Sequence, residues 1–245
     1  MAAPESARPR QHQSRTLAER THKTQASMVH ITYYLEVISS WCYWVEPVWK
    51  ELKSRYSKDV TFDWKLALMD ASGLPQSKDQ CDWFYRRSGT IMRSDFMLNS
   101  GWFDKNLTEY LPPNLMSEAA RLLGASGDEV RIALATAALR EGKQIGNWSV
   151  CAEIASKVSG FTANELLNLA QSPSTLQVAK ASTERFHSLK VSQRPAFELE
   201  SSIGDRAVLS GVVKLEPLVA TIEAMLSDAK AYSSYKIHHG TPPTS

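Results

Sequence analysis

Residues 29–37, VHITYYLEV, constrain the chain more than any other stretch. They are rich in β-branched and aromatic types and read as a buried strand. Just beyond them the period changes: Trp41, Val45, Val48, Trp49 and Leu52 recur at helical spacing over 40–56. Residues 60–68, VTFDWKLAL, alternate and then turn apolar, which reads as a second strand. Strand, helix and strand in that order imply a right-handed crossover and a parallel pair. Pro47 falls inside the helix, where the missing N–H and the ring predict a kink. Between strand and helix stand Ser39 and Ser40, with Cys42 in the helix's first turn.

Residues 70–113 are aromatic and loop-like, and no element is assigned there. Pro112-Pro113-Asn114 reads as a stop followed by a helix cap. Helices are expected over 115–123, 129–141, 148–158, 162–171 and 174–189, split by glycine- and serine-bearing breaks. Thr162 and Glu165 have capping-box spacing, Asp128 and Ser172 are candidate caps, and Pro173 suits a first helical position. A hairpin turning at Gly204-Asp205 follows within 195–213, then a helix over about 214–229 with Pro217 in its first turn. The order is β-α-β, a helical block, then β-β-α, an α/β arrangement matching a thioredoxin fold with a large inserted helical subdomain. The expected division is a core of 29–70 and 190–230, an insert of 71–189, a flexible tail of 231–245 and a disordered extension of 1–28.

Composition narrows the function classes. The net charge of +2 gives no field that would argue for nucleic acid or membrane. Five Lys/Arg against two Asp/Glu fall in residues 1–28, so the rest is slightly acidic. No apolar run approaches the roughly 18 residues of a membrane helix. The N-terminal stretch lacks the apolar core of a signal peptide. Arg, Ser and Thr give it a transit-peptide flavour, against which Glu5 and Glu19 count, and Met28 is an alternative start. Cys42, Cys81 and Cys151 are sparse, odd in number and without CxxC or metal-ligand spacing, which favours a reducing, cytoplasmic setting and no metal. His30 at a strand start reads as structural.

Three motifs then carry a resemblance. Ser39-Ser40-Trp41-Cys42-Tyr43 follows the first strand, Pro47 lies five residues after Cys42, and Gln193-Arg194-Pro195-Ala196-Phe197 precedes the hairpin. Together they resemble the DsbA-like thioredoxin superfamily over about 29–230, and within it the branch of kappa-class glutathione transferases and 2-hydroxychromene-2-carboxylate isomerases. The resemblance implies a redox-motif position in which Ser39 replaces the first cysteine, a cis-proline at Pro195, glutathione as cofactor, a small-molecule substrate and a homodimer. Two departures stand out. The branch carries S-P-Y-S where this chain has S-S-W-C, and its small polar residue and acid before the last helix are here Gly211-Val212-Val213-Lys214. Two valines accept no hydrogen bond from an ammonium group.

A hydroxyl at position 39 forms no disulfide, so two-cysteine exchange is excluded. What remains is polarisation: a serine at a helix N-terminus donating to a bound sulfur or oxygen. The helix end is worth about 0.3–2 kcal/mol for an anion and a charge-assisted hydrogen bond about 1.5–3 kcal/mol. Together they lower a thiol pKa by roughly one or two units. Ser39 and Cys42 are therefore the candidate catalytic residues, with Ser39 also a plain helix cap and Cys42 either a lone nucleophile or a small buried residue. Ser40, Trp41, Tyr43, Arg86, Trp102, Arg194 and Pro195 are candidate substrate contacts; Arg194, Pro195 and Gly211 are candidate glutathione contacts. Arg194 is expected to present its charge to a substrate carboxylate or enolate. The leading reading is isomerisation, addition or transfer on a small aromatic or polyketide-like metabolite. A one-cysteine thiol protein and a non-catalytic binding module are the alternatives.

Overall fold

The computed structural model describes residues 27–241 and 243, so most of the expected extension lies outside the described residues. Strand β1 (Val29–Leu35) leads into helix α1 (Ser40–Tyr56) and strand β2 (Val60–Leu66). Helices α2 (Lys78–Ile91), α3 (Leu111–Leu122), α4 (Glu129–Leu139), α5 (Trp148–Ser159), α6 (Ala163–Ala170) and α7 (Pro173–Ser188) follow. The chain closes with β3 (Ala196–Ser201), β4 (Arg206–Ser210) and α8 (Leu215–His239). The sheet order is β2-β1-β3-β4. β1 and β2 are parallel, with Tyr33 opposite Trp64, while β3 is antiparallel to both β1 and β4.

Alternation along β1 sends neighbouring tyrosines to opposite faces of the sheet. Tyr33 stacks on Phe197 at 5.0 Å and meets Trp49 of α1 at 5.1 Å. Tyr34 packs on Phe186 of α7 and donates to Glu198 at 3.0 Å. α1 and α8 thus cover one face and α7 the other, while α3 to α6 pack on one another as the helical block. Arg131, 3% exposed, ties α4 to α1 by pairing with Glu46 and Asp128.

Several expectations are corrected. Both core strands stop two residues early, because their next backbone donors turn to side chains. Val37 N–H goes to Asn114, Leu68 N–H to Thr183 and Met69 N–H to Glu36. The stretch taken as loop-like contains α2, capped by Ser77, whose hydroxyl accepts from Gln80 N–H at 3.1 Å. Its buried face is Cys81, Tyr85, Ser88 and Gly89, a helical period written in small and polar residues. Pro112 and Pro113 lie inside the first turn of α3 and not before it, where a missing N–H costs nothing. Asp128 occupies a cap position without a capping bond, its carboxylate being taken by Lys53 and Arg131. The last helix continues to His239, with Ala229 its last buried residue. The capping box of α6, the Ser172 cap of α7 and the hairpin turn at Gly204, φ +100°, are present as read.

Candidate functional site

Ser39 caps α1. Its Oγ accepts from Cys42 N–H at 3.3 Å, and among the described residues its own O–H donates to no oxygen or nitrogen, the Cys42 thiol being the group in its reach. The residue is 8% exposed and lines two adjoining cavities. One, of about 380 Å³, is bounded by Ser39, Trp41, Met69, Arg87, Gln193, Arg194 and Gly211. The other, of about 190 Å³, adds Ser40, Phe84, Tyr85 and Trp102 to Ser39, Trp41, Met69 and Arg87. Cys42 lines neither and is 3% exposed. Burial pushes its thiol up to about 11, although the Ser39 hydroxyl and the Glu36 backbone pull the other way. Cys81 is buried but forms part of the smaller cavity's wall, and Cys151 is buried away from both.

The structure gathers Ser39, Ser40, Trp41, Trp102, Arg194 and Gly211 around this cleft. Pro195 is buried just behind it; its peptide bond to Arg194 is cis, and its carbonyl accepts from Gly211 N–H at 2.8 Å. Three placements differ from expectation. Tyr43 lies on the opposite flank of α1 and lines a separate cavity of about 820 Å³ with Trp44, Trp49, Phe96 and Ile132, because one residue along a helix turns the side chain by about 100°. Arg86 is exposed and lines neither cavity of the cleft, while its neighbour Arg87 lines both. Arg194 does not offer its guanidinium to a substrate. Nε donates to Ala67 O, Nη2 donates to Leu68 O at 2.6 Å, and the group lies 4.7 Å from the Phe186 ring. Its backbone is another matter: among the described residues neither its N–H nor its C=O has a hydrogen-bond partner.

The electrostatics of the cleft are one-sided. Its two linings contain Arg87 and Arg194 and no acidic side chain. Arg87 has no ion-pair partner among the described residues and rests against Trp41, Trp83 and Phe84 at 5.3–5.9 Å. A guanidinium flanked by rings keeps its N–H edge for an anion in plane. No group of His, Cys, Asp and Glu suited to a metal occurs among the described residues.

No family model and no curated protein matches the chain. Solved structures do. The cytosolic disulfide reductase DsbM from Pseudomonas aeruginosa is 18% identical, with a TM-score of 0.65 over 81% of this chain and 98% of that one. A structure of the same reductase with GSH gives 17% identity and a TM-score of 0.63 over 81% and 99%. DsbA from Pseudomonas aeruginosa gives 13% and 0.55 over 86% and 88%. The chain has the DsbA-like thioredoxin fold.

Within that fold, sequence reasoning found the helix end and the hairpin loop, whose motif includes Gln193, and missed Met69 and Arg87. Met69 comes from a loop that carries no motif. Arg87 directly follows Arg86, and only the phase of an unassigned helix separates the two. Glu36 was missed too. It is 2% exposed, three residues before Ser39, and burial raises its carboxyl to about 7 against the pull of Asn114, the Met69 N–H and Arg194. Among the described residues no helix is long and apolar enough to cross a membrane.

Proposed function

We propose that the chain is a DsbA-fold enzyme that does not exchange disulfides but binds a small thiol, glutathione in the first instance, and directs it at an aromatic acceptor. One observation carries this reading: the Ser39 hydroxyl satisfies the helix end with a lone pair and donates to no oxygen or nitrogen among the described residues, so a ligand thiolate in the cleft competes for its proton only with the buried, neutral Cys42 thiol. The thiol occupies the larger cavity, its peptide-like backbone pairing with the open N–H and C=O of Arg194. The acceptor lies against Trp41, Phe84, Tyr85 and Trp102 in the adjoining one. The two cavities meet at Ser39.

Chemically, the thiol gives its proton to solvent and the thiolate is held by the Ser39 O–H and the N-terminus of α1. A sulfur lone pair then attacks the β-carbon of a conjugated C=C–C=O in the acceptor; the C=C π bond breaks and its electrons move to the carbonyl oxygen as an enolate. Protonation of the enolate by solvent and release give addition, whereas rotation about the former double bond, re-formation of C=C and expulsion of the same thiolate give isomerisation. The likeness to DsbM, solved with GSH, supports the choice of thiol.

The test measures glutathione binding by calorimetry and thiolate absorbance in the ultraviolet, for the wild-type chain, Ser39→Ala and Cys42→Ala. The reading expects Ser39→Ala to lose most of the bound-thiolate signal, with the glutathione thiol pKa returning by roughly one to two units. Cys42→Ala should keep it. Full thiolate signal in Ser39→Ala overturns the mechanism.

A further inference from the structure

Behind the cleft sits a carboxyl group that the chemistry above leaves unused. Glu36 lies at the point where β1 ends, and four segments converge on it. Its Oε2 accepts from Met69 N–H at 2.9 Å, its Oε1 accepts from Asn114 Nδ2 in the first turn of α3, and its carbonyl accepts from Ser39 N–H at 3.1 Å. Met69 is part of both cavity walls. The two carbonyls just before Met69, Ala67 O and Leu68 O, hold the guanidinium of Arg194. Glu36 therefore meets Ser39 through its backbone, while its carboxylate reaches the cavity wall at Met69 and Arg194 through the two residues before it. No cation pairs with it within ion-pair distance among the described residues, so its carboxylate is held by neutral donors alone.

The hydrogen-bond pattern, against the pull of burial, suits the ionised form. Both oxygens face N–H donors. Asn114 cannot turn its amide to help, since its Oδ1 already accepts from Val37 N–H at 3.1 Å. Met69 offers a backbone donor that has no alternative form. A proton on either oxygen makes that atom a poor acceptor and weakens one of the two bonds.

We propose that Glu36 is a proton-sensitive positioning residue: ionised, it fastens the Met69 segment and with it Arg194 so that the Ser39 cleft fits its ligand; protonated, it loosens that wall. Burial raises its carboxyl to about 7, so the change falls near neutral pH. The charged and titratable groups facing it are Arg194 from the loop before β3, Cys42, Tyr43 and Glu46 from α1, and Arg131 from α4. Of these only Glu46 also carries a raised carboxyl, and it is compensated by Arg131.

The proposal deepens the thiol-binding reading and rests on it only for the choice of probe. The experiment follows three quantities in the full chain between about pH 5 and about pH 9: the Met69 amide resonance, the Trp41 indole resonance and glutathione affinity. In the wild-type protein the two resonances should share one midpoint, and affinity should fall on the acid side about tenfold more than the glutathione thiol's own ionisation accounts for. Glu36→Gln keeps one acceptor oxygen and turns an N–H₂ toward a donor, so its resonances should show no midpoint and its affinity should keep only the pH dependence of the glutathione thiol. Three results overturn the proposal: a Met69 amide that does not titrate, one that titrates unchanged in Glu36→Gln, or a titrating amide with an affinity that follows the glutathione thiol alone. If glutathione binds at no pH, the thiol reading fails by itself. The Trp41 indole then decides this one: it must move with the Met69 midpoint, and a stationary indole refutes the wall-loosening claim. Should Glu36→Gln not fold, Asn114→Ala replaces it. Removing one of the two donors should shift the shared midpoint upward, and an unshifted midpoint counts against the proposal.

Discussion

Replacing Glu36 by glutamine should change how stability depends on pH, and the size of the change can be worked out. The Glu36 carboxyl stands at about 7 in the folded chain against an ordinary 4.5. Burial, the first cause, disfavours the charged form. A carboxyl raised by folding gives its full stability at pH values below the unfolded value. That contribution is lost as pH rises from the unfolded value through the folded one. Each unit of difference is worth about 1.4 kcal/mol, so the loss between about pH 4.5 and about pH 7.5 is about 3 kcal/mol. Glutamine has no such term. Its amide nitrogen would face the Met69 or the Asn114 donor, a pH-independent penalty of about 1–3 kcal/mol. The variant should therefore be less stable than wild type near pH 5 and close to it, or above it, near pH 8. Urea unfolding of both proteins across this range checks the point, with the difference between the two curves cancelling other titrating groups. A difference that stays constant with pH refutes the reasoning.

Other outcomes follow from the same geometry. With all three thiols buried, and each pushed up by burial, a disulfide reagent at mildly alkaline pH should label none in the native chain and three after unfolding; mass spectrometry reads the count. Arg131→Met should cost about 3–5 kcal/mol because it strands Glu46 and leaves Asp128 to Lys53 alone, and Glu46→Leu added to it should recover part of that loss in urea unfolding. Gly211→Ala forces a side chain onto φ +72° and against Gln193 Oε1, and should lower the melting temperature and weaken glutathione binding together. Arg87→Ala, at an exposed position, should leave stability within about 0.5 kcal/mol; calorimetry should show about tenfold weaker binding of carboxylate-bearing ligands and little change for neutral ones.

The fold was legible where side chains and backbone agree on one period. The β1-α1-β2 unit carries its alternation and its helical stripe in large apolar residues, so its boundaries at Ser40, Tyr56, Val29 and Val60 could be read directly. α2 was not legible, because it packs through Cys81, Ser88 and Gly89 and shows its aromatic residues Trp83 and Phe84 partly outward. A hydrophobicity pattern has no signal for a helix that buries a serine. The early strand ends were hidden for a related reason. They depend on Asn114 and Thr183 arriving from distant helices to take over backbone partners. At the site, Ser39 was visible from local chemistry alone, as a cap residue one turn before a cysteine. Arg194 was visible as a residue but misjudged in role, since nothing near it in sequence shows that two carbonyls of the segment after β2 occupy its guanidinium.

The two positions at the start of α1 show how one helix end can give opposite results for two sulfurs. The helix terminus offers an anion about 0.3–2 kcal/mol. For Cys42 burial outweighs it: a thiol moved from an ordinary 9 to about 11 has lost about 3 kcal/mol of preference for its charged form. A ligand sulfur at Ser39 sits on the other side of that balance. It enters a cleft with the Arg87 guanidinium, unpaired among the described residues, and no acid in its walls, gains the serine's hydrogen bond of about 1.5–3 kcal/mol, and keeps access to solvent through Trp41 and Arg87, both of which are less than fully buried. An endogenous thiol in the first turn is thus silenced by the same packing that leaves the serine beside an open cavity. That division requires the cysteine to stay where it is. Moving it by the double change Ser39→Cys with Cys42→Ser should yield a labelled, acidic thiol at 39, and a thiol at 39 as inert as Cys42 would show that the helix end and the cleft do not act on sulfur at all.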